Sequence, residues 1–488
     1  MRREIRFILN GEVCRLAPSD PTRTVLQYLR EDLGRCGTKE GCAEGDCGAC
    51  TVVIADRQGS ALRYRAVNSC IQFLPTLDGK QLITVEDLKR EGRLHPVQQA
   101  MVDCHGSQCG FCTPGFVMSL FALYHQGGSA DRMTIDNALA GNLCRCTGYG
   151  PIIEAARQAC GGKPDDQFVA GRDRTLAMLD DLAPTESVAL EDRYFAPVSL
   201  EEAVQLRSEH PEATLVAGAT DVGLWVTKQH RHLAPLIYLG NVAELKRIGQ
   251  VDDCIEIGAA VTYAEAWPVL AEHYPDFGEM IRRLGATQVW NSGTLGGNVA
   301  NGSPIGDSPP PLIAAGARLQ LRGPQGARVL PLEDFFIDYG KQDLQDGELV
   351  EKILVPLPDP ESRLYCYKIS KRFDQDISAV CAAFSLQLDA QDRVASFRAA
   401  YGGMAATPKR AEHLERALVG QTWAESTVET AITALADDFQ PIDDLRASAF
   451  YRLKVAGNLV RKLWLESAPD TTGPTRLFGV SEFAYGQR

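Results

Sequence analysis

Short alternating runs of hydrophobic and polar residues open the chain and predict a β-rich first domain. Ile5–Leu9 and Glu12–Leu16 alternate on either side of an Asn–Gly pair, which is typical of a two-residue hairpin turn. Residues 51–55 predict another strand, whereas the apolar positions within residues 24–33 recur at helical spacing. Strands around one helix indicate a small α+β domain over residues 1–85.

A helical pattern replaces the alternation over residues 86–163. Thr113 and Pro114 offer an N-cap and a proline at the first helical position of an apolar run. Residues 133–140 predict a second helix, and Pro151 opens a third. This part of the chain therefore predicts an all-α domain.

The polar stretch at residues 164–190 predicts an interdomain linker, because it is rich in charged residues and helix breakers. Mixed α and β patterns follow, and they predict one domain at 191–370 and another at 371–488. The predicted strands lie at 215–217, 255–258, 319–321 and 377–388, and the predicted helices at 411–418 and 447–465.

The acidic balance of the 488-residue chain excludes several classes of partner. A formal net charge of −13 argues against nucleic acid and against an anionic membrane surface. No apolar run approaches the length of a membrane span, and the first one is too short for a secretory signal. We therefore expect a cytoplasmic protein, with no nucleic acid and no membrane as a partner.

Cysteine is the residue type whose distribution is most uneven. Eleven of the fifteen cysteines lie within the first 150 residues. Without export, they are interpreted as thiols or metal ligands and not as disulfides. Cys254, Cys366 and Cys381 are predicted to be small buried hydrophobic residues.

The first cysteine set has the spacing C-x4-C-x2-C, formed by Cys42, Cys47 and Cys50, and nineteen residues separate Cys50 from Cys70. This is the plant-type 2Fe–2S spacing. The glycines within the loop allow the sharp turns that bring three thiolates to one cluster. Structural zinc is the alternative, although zinc ribbons favour a different first spacing.

The second cysteine set has the spacing C-x2-C-x31-C-x-C and comprises Cys109, Cys112, Cys144 and Cys146. Both pairs fall at predicted helix ends, so two facing ends could gather four thiolates. Taken alone, this set is also compatible with zinc. Cys36 lies six residues before Cys42 of the first set. It is interpreted as structural, because the first set already supplies four ligands.

Two glycine loops in the second half are candidate ligand sites. Residues 215–223 predict a strand and a glycine turn that could present backbone amides to a pyrophosphate. Residues 291–307 contain Gly296 and Gly297, which permit close approach of a planar ligand. Either loop alone is equally compatible with a turn that binds nothing.

Three motifs together carry a resemblance to a known family. They are GTKEGC at residues 37–42, QCGFCTPG at 108–115 and GNLCRCTGY at 141–149. Their order resembles the iron–sulfur part of the xanthine dehydrogenase family of molybdenum hydroxylases, and the glycine loops resemble the FAD domain of that family. The resemblance implies a multidomain α+β fold: a plant-type ferredoxin β-grasp domain, a four-helix iron–sulfur domain, an FAD domain of the vanillyl-alcohol-oxidase type and an α+β flavoprotein C-terminal domain.

The resemblance also implies which residues bind the cofactors. One 2Fe–2S cluster would be held by the first cysteine set and another by the second set, and no catalytic residue is assigned on this chain. Lys368 would otherwise be interpreted as an ordinary surface lysine. The implied FAD contacts are Leu215, Val216, Ala217, Gly218, Ala219, Thr220, Asp221, Val222, Leu284, Thr294, Leu295, Gly296, Gly297, Asn298, Asp307, Val350 and Lys368.

The function implied by the resemblance is electron transfer in purine catabolism. A molybdopterin domain would follow Arg488 in fused family members, so a separate large molybdopterin subunit is expected, in a heterotetramer of two small and two large subunits. Electrons from hydroxylation of hypoxanthine and xanthine to urate would reach FAD through the clusters, and FAD would reduce NAD. The alternatives are the equivalent subunit of an aldehyde or N-heterocycle hydroxylase, a stand-alone diaphorase, oxygen as acceptor, and a zinc-stabilised scaffold without redox chemistry.

Overall fold

The computed structural model describes residues 1–128, 130–233, 235–467 and 476. The chain forms two compact units. The first comprises Met1–Lys246, Thr262–Ala264 and Gly285–Thr294, and the second comprises Arg247–Val261, Glu265–Leu284 and the described part of Leu295–Arg488. Among the described residues, no helix combines the length and the apolar character needed to cross a membrane.

A five-stranded sheet forms the first part of the first unit. The predicted hairpin is confirmed: Leu9 pairs with Glu12, and Asn10 and Gly11 both have positive φ, as the mirrored hairpin turn requires. In spatial order the strands are Glu12–Leu16, Ile5–Leu9, Gln81–Ile83, Thr51–Gln58 and Ala61–Asn68.

The predicted helix of this domain is shorter than expected and changes from an α-helix to a π-helix. Thr24 caps an α-helical turn at Val25–Gln27, and the chain continues as a π-helical turn at Tyr28–Asp32. Val25 and Leu29 are fully buried, so the apolar spacing correctly identified the face that meets the sheet. The remaining short segments of this region are 3-10 helices at Leu74–Leu77 and Val85–Asp87.

Four helices form the second part of the first unit, and three of them were predicted. Thr113 proves to be the first helical residue and not the cap. Cys112 occupies the cap position, and its side chain accepts no hydrogen bond from the first turn of the helix. The helix at Pro96–Asp103, which is only eight residues long, was missed. The four helices are Pro96–Asp103, Thr113–Gln126, Arg132–Leu139 and Gly150–Cys160.

The segment predicted as a linker is largely helical. Gln167–Ala170 and Arg172–Leu182 are helices, and Leu179 and Leu182 pack with Ile8 of the first sheet. The charged residues of this segment lie on the outer face, which explains why the sequence looked like a solvated connection.

A four-stranded sheet completes the first unit. Its strands, in spatial order, are Val188–Leu190, Tyr194–Ala196, Leu236–Tyr238 and Thr214–Val216. The helices are Leu200–Glu209, Val222–Thr227 and Thr287–Trp290, with 3-10 turns at Leu239–Asn241 and Ala243–Lys246.

The second unit contains three sheets. The five-stranded sheet is antiparallel and has the order Ile248–Val251, Cys254–Gly258, Leu349–Pro356, Arg318–Gly323 and Gly326–Pro331. Phe336–Asp338 pairs with Lys341–Gln342. The four-stranded antiparallel sheet is formed by Ser362–Ile369, Val380–Leu388, Val394–Gly402 and Lys409–Arg410.

Helices pack against these sheets, and the predicted ones are found with ends shifted by one or two residues. A hydrophobic core that includes Phe384, Tyr401, Leu414 and Val460 joins the four-stranded sheet to the C-terminal helices. The helices are Tyr263–His273, Pro275–Leu284, Leu295–Asn301, Pro309–Ala314, Glu412–Leu418, Glu425–Ile432, Leu435–Asp438 and Ala449–Ser467, with a 3-10 turn at Leu332–Phe335.

Candidate iron–sulfur and flavin sites

The first cysteine set converges in the first unit. Cys42 and Cys47 are hydrogen-bonded through their thiols, and so are Cys50 and Cys70. The charge of Cys42 acts on both members of the second pair, so the four side chains share one site. Cys50 and Cys70 are buried, with exposures of 1% and 3%.

The loop geometry of this set depends on glycine. A Cβ added to Gly41 would lie 2.7 Å from Cys47 Sγ, and one added to Gly48 would lie 2.2 Å from Gly141 O. Gly48 also has a φ of +68°, which L side chains rarely adopt. The sequence motif therefore reflects a backbone that passes close to the thiols.

The two thiols of the Cys42–Cys47 pair differ in pKa: their interaction lowers the pKa of Cys42 and raises that of Cys47 well above its ordinary value. Hydrogen bonds from the Cys47 thiol and from backbone amides lower the pKa of Cys42 to about 5, against the effect of burial. One of these donors is Cys47 N, 3.4 Å from Cys42 Sγ.

The second cysteine set lies between helix ends, as predicted. Cys112 immediately precedes Thr113–Gln126, whereas the other pair follows Arg132–Leu139. Cys109 is hydrogen-bonded to Cys146 and Cys112 to Cys144. Burial and the bond to Cys144 raise the pKa of Cys112 to about 12.

Both sets are organised as two pairs of thiols, and this arrangement bears on the zinc alternative. One tetrahedral zinc with Zn–S bonds of about 2.3 Å would bring all its sulfurs within about 3.8 Å of each other. Among the described residues, however, the one group of three or more candidate ligands with all ligand atoms within 4.8 Å contains no cysteine. Two pairs fit two irons better than they fit one zinc ion.

That compact group consists of His95, His125 and Asp166. Both Nε2 atoms lie within hydrogen-bond distance of Asp166 Oδ2, at 2.7 and 2.9 Å. His95 Nδ1 accepts a hydrogen bond from Val97 N, so the proton of its neutral ring is on Nε2. A buried hydrogen-bonded network explains these contacts.

The three cysteines predicted to be small buried hydrophobic residues are buried, whereas Cys36, predicted to be structural, is exposed. Cys254, Cys366 and Cys381 are buried, and burial raises the pKa of Cys366 and Cys381 well above the ordinary value. Cys36 is exposed, and its carbonyl oxygen accepts hydrogen bonds from Arg30 and Lys39. Its backbone, more than its thiol, takes part in the packing.

The first glycine loop belongs to the first unit. Thr214–Val216 is a strand, and Ala219, just after Gly218, has a φ of +59°. A Cβ on Gly218 would lie 1.9 Å from Ser292 O, so only glycine fits where the two loops meet. Residues 215–222 thus end a strand and enter the helix Val222–Thr227 through a tight turn.

This loop adjoins the first cysteine set. A Cβ on Gly223 would lie 2.8 Å from the backbone oxygen of Ile71, the residue after Cys70. Leu224 packs on the small apolar cluster that contains Cys50 and Cys70. The predicted pyrophosphate loop and the predicted cluster site are therefore neighbours within one unit.

The second glycine loop contributes residues to both units. Thr294 is buried in the first unit, and Leu295–Asn301 is a helix of the second. In the second unit, a Cβ on Gly296 would lie 2.4 Å from Ala259 Cα. Asn298 Oδ1 is buried and has no hydrogen-bond partner among the described residues, which fits a contact to a bound ligand.

Lys368 is buried in the second unit, which excludes the alternative interpretation as an ordinary surface lysine. Its side chain is 1% exposed and forms an ion pair with Asp307. Lys368 Nζ also donates to Ser378 Oγ at 2.9 Å, and Ser378 donates to Asp307 Oδ1 at 2.6 Å. Ser378 had no sequence signal, because a lone serine before a strand is common.

Two further implied FAD contacts lie in the second unit. Val350 is 6% exposed in the strand Leu349–Pro356 and pairs with Leu321. Leu284 is the last residue of the helix Pro275–Leu284 and is half-buried.

Four protein-family models together match most of the chain. Residues 7–73 match "2Fe-2S iron-sulfur cluster binding domain" and residues 84–157 match "[2Fe-2S] binding domain". Residues 188–358 match "FAD binding domain in molybdopterin dehydrogenase", and residues 365–467 match "CO dehydrogenase flavoprotein C-terminal domain". The chain belongs to the molybdenum hydroxylase family.

Curated relatives of this chain include several xanthine dehydrogenases. That of Drosophila pseudoobscura pseudoobscura is 34% identical over 95% of this chain and 39% of its own length. Those of Emericella nidulans and Arabidopsis thaliana (xanthine dehydrogenase 1) are 31% identical, over 89% and 85% of this chain and 36% of theirs. The chain thus spans less than two fifths of the length of these relatives.

Solved structures similar to this chain carry other names. A chain of the cyanide-inactivated Cu,Mo-CO dehydrogenase has a TM-score of 0.52 at 27% identity, over 55% of this chain and 95% of that one. A chain of quinoline 2-oxidoreductase from Pseudomonas putida 86 has the same score and identity, over 57% and 97%.

The predicted multidomain α+β fold is confirmed. So is the presence of two 2Fe–2S binding domains and one FAD binding domain. The individual ligand residues and the predicted domain boundaries remain predictions.

Proposed function

We propose that the chain is the electron-transfer subunit of a xanthine dehydrogenase. Electrons from hydroxylation of hypoxanthine and xanthine to urate, at a molybdenum centre on a large partner subunit, would pass through two 2Fe–2S clusters to FAD, which reduces NAD. The observation that carries the proposal is the order of three candidate sites within the first unit.

The second and first cysteine sets are connected through one hydrogen bond. Leu143, the residue before Cys144, donates its backbone N–H to Cys47 O at 3.0 Å. The first set in turn adjoins the flavin loop through Ile71 and Gly223. A linear series of this kind supports a relay, because electron transfer requires neighbouring redox groups.

The exposure of the sets supports a direction for the relay. Cys109 and Cys146 of the second set are exposed, and Phe111 and Leu143 beside them are 48% and 52% exposed. Cys50 of the first set is buried. We propose that the second set faces the molybdenum partner and that the first set passes electrons inward to the flavin.

The proposed ligand residues would bind both kinds of cofactor. The eight cysteines would hold the clusters, and glycine at positions 41 and 48 lets the backbone approach them. When bound, 2Fe–2S clusters carry single electrons, whereas FAD accepts two and releases a hydride. Asn298 Oδ1 and the buried Lys368–Asp307 pair would provide polar contacts at the flavin.

The substrate and the assembly are inferred from the relatives. The curated relatives named above support xanthine as the substrate. The matches to CO dehydrogenase and quinoline 2-oxidoreductase chains favour one alternative, the equivalent subunit of a hydroxylase for another substrate. We propose a heterotetramer with two large molybdopterin subunits, and a cytoplasmic location, where cluster thiolates stay reduced.

Turnover of xanthine with the native partner, with NADH formation followed optically, tests this function. We expect NADH and urate in equal amounts. Hydroxylation of an aldehyde or an N-heterocycle without turnover of xanthine would favour the alternative. NADH oxidation by the isolated chain, with no partner recovered on purification, would indicate a diaphorase.

Two simpler measurements test the cofactors and the acceptor. The visible spectrum should show iron–sulfur and flavin absorbance, and a colourless protein that contains only zinc would contradict the proposal. Stopped-flow reoxidation of the reduced complex should be faster with NAD than with oxygen. The variant Cys70→Ser should lose about half of the iron, whereas Cys366→Ser, a buried control, should keep it.

A further inference from the structure

Gln288 connects the two iron–sulfur domains although it belongs to the flavin-domain sequence. It lies in the short helix Thr287–Trp290, within the match at residues 188–358, and is 1% exposed. Gln288 Nε2 is 3.3 Å from Thr51 Oγ1, 3.1 Å from Ser119 Oγ and 3.1 Å from Asn142 Oδ1.

The three acceptor residues lie close to the two cysteine sets or on a helix that begins at one of them. Thr51 directly follows Cys50 of the first cysteine set, and Asn142 is two residues before Cys144 of the second. Ser119 lies on the helix Thr113–Gln126, which begins next to Cys112. One amide therefore contacts an element of each cluster domain.

The same amide stabilises the closest connection between the two ligand loops. Asn142 Nδ2 donates to Gly48 O at 3.1 Å, next to the Leu143–Cys47 hydrogen bond. A Cβ on Gly141 would lie 2.1 Å from Gln288 Oε1, so the loop passes directly over this side chain. Gln288 Oε1 has no hydrogen-bond partner in the described part of the chain.

The surrounding residues anchor Gln288 on both sides. Thr287 Oγ1 donates to Asn137 O of the helical domain at 3.0 Å, and Asn291 Nδ2 donates to Ala66 O of the first sheet at 2.9 Å. Arg65 returns a hydrogen bond to Asn291 O at 2.7 Å. The segment thus holds Gln288 at a fixed position relative to both domains.

We propose that Gln288 is a positioning residue that fixes the distance and orientation between the two cluster loops. The proposal rests on the proposed function, since it assumes that the two cysteine sets hold 2Fe–2S clusters. Electronic and magnetic coupling between two redox groups decreases steeply with distance. A small displacement of the loop around Asn142 and Leu143 would therefore change the coupling without removing any cysteine.

The variant Gln288→Met tests this role, because methionine has a similar volume and no hydrogen-bond donor. It leaves the acceptors on Thr51 and Asn142 without this donor in a buried site. We expect iron content and visible absorbance to stay as in the unaltered protein, while the low-temperature EPR splitting between the reduced clusters narrows. Gln205→Met, at an exposed glutamine, is the matched control and should leave the splitting unchanged.

A second variant keeps the test informative if Gln288→Met does not fold. Gln288→Asn retains the amide but shortens it by one methylene, and the splitting should narrow to a smaller extent. An unchanged splitting in a folded variant would overturn the proposal, and so would loss of iron with normal splitting in the molecules that remain loaded. If the unaltered protein gave no signals from two clusters, the proposed function itself would fail, independently of Gln288.

Discussion

The backbone N–H of Leu143 donates a 3.0 Å hydrogen bond to the carbonyl oxygen of Cys47. These two residues belong to the loops of the two cysteine sets, so the candidate cluster sites are separated by a few covalent bonds and one hydrogen bond. The contact requires close backbone packing, which in turn requires glycine at position 48. Its energetic and functional consequences can be tested by substitution.

Gly48→Ala should separate the two loops. The added Cβ would lie 2.2 Å from Gly141 O, and the φ of +68° is unfavourable for alanine. We expect a destabilisation of about 2–4 kcal/mol, measured as a lower urea midpoint for loss of cluster absorbance. Gly59→Ala is the control: it has a φ of +60° but nothing within 4 Å, so about 1 kcal/mol is expected. Equal effects in the two variants would contradict the packing argument.

Lys368→Met should damage the second unit and its flavin content. Removal of the ammonium group leaves the carboxylate of Asp307 buried without its cation, which costs about 3–5 kcal/mol. Flavin absorbance after gel filtration and the thermal midpoint measure the two effects. The exposed Lys371→Met should change neither. Wild-type stability and flavin content in Lys368→Met would show that the pair is dispensable.

The first cysteine set could be proposed as a 2Fe–2S site from the sequence because its information is local, whereas the second set needed the family resemblance. The spacing of Cys42, Cys47 and Cys50 and the intervening glycines describe one loop, and one loop is enough to recognise its chemistry. The pairing of Lys368 with Asp307 joins positions far apart in the sequence, and no periodicity reports such a contact. The family resemblance, and not the local pattern, identified Lys368.

Other features were missed because they depend on tertiary packing. The helix Arg172–Leu182 is polar over most of its surface, and only Leu179 and Leu182 are buried. Gln288 gave no signal either, since a buried glutamine is defined by partners more than a hundred residues away. The strands and helices were predicted well where a long apolar face marked them, and poorly where a short helix is held by its neighbours.

Asp166→Asn should destabilise the helical domain. Burial tends to raise the pKa of Asp166, but hydrogen bonds from His125 and His95 outweigh it and hold the pKa well below its usual value of 3.8. Since the folded pKa is the lower one, the carboxylate stabilises the fold above about pH 4, and this contribution is lost as the pH falls through the lowered pKa. At pH 7 we expect a loss of about 1–3 kcal/mol by chemical denaturation.

A control variant tests whether the hydrogen bonds of Asp166 stabilise the protein. Asp165→Asn, at the preceding position, is the control for removal of a negative charge. Asp165 forms its hydrogen bonds with Tyr124 through its backbone N–H and carbonyl oxygen, which the substitution leaves in place. If both variants had the same stability at pH 7, the hydrogen bonds to the two histidines would contribute nothing measurable.

Alkylation should distinguish the buried cysteines from the exposed ones. Burial raises the pKa of Cys160 to about 12, so at pH 8 its thiol is protonated and a poor nucleophile. Cys36 is exposed. Peptide mass spectrometry after iodoacetamide treatment of the folded protein should find label on Cys36 and none on Cys160, whereas urea should make both reactive. Labelling of Cys160 without denaturant would contradict its buried position.

The apolar residues beside the second cysteine set should contribute to binding of the molybdenum partner. Phe111 and Leu143 are 48% and 52% exposed next to Cys109 and Cys146, and exposed apolar side chains of this size are typical of interface anchors. We expect Phe111→Ser to weaken association with the large subunit by about tenfold, roughly 1.4 kcal/mol. Val13→Ser, at a residue that is 42% exposed on the first hairpin, is the control. Surface plasmon resonance against the native partner measures the difference, and equal affinities of the two variants would place the docking surface elsewhere.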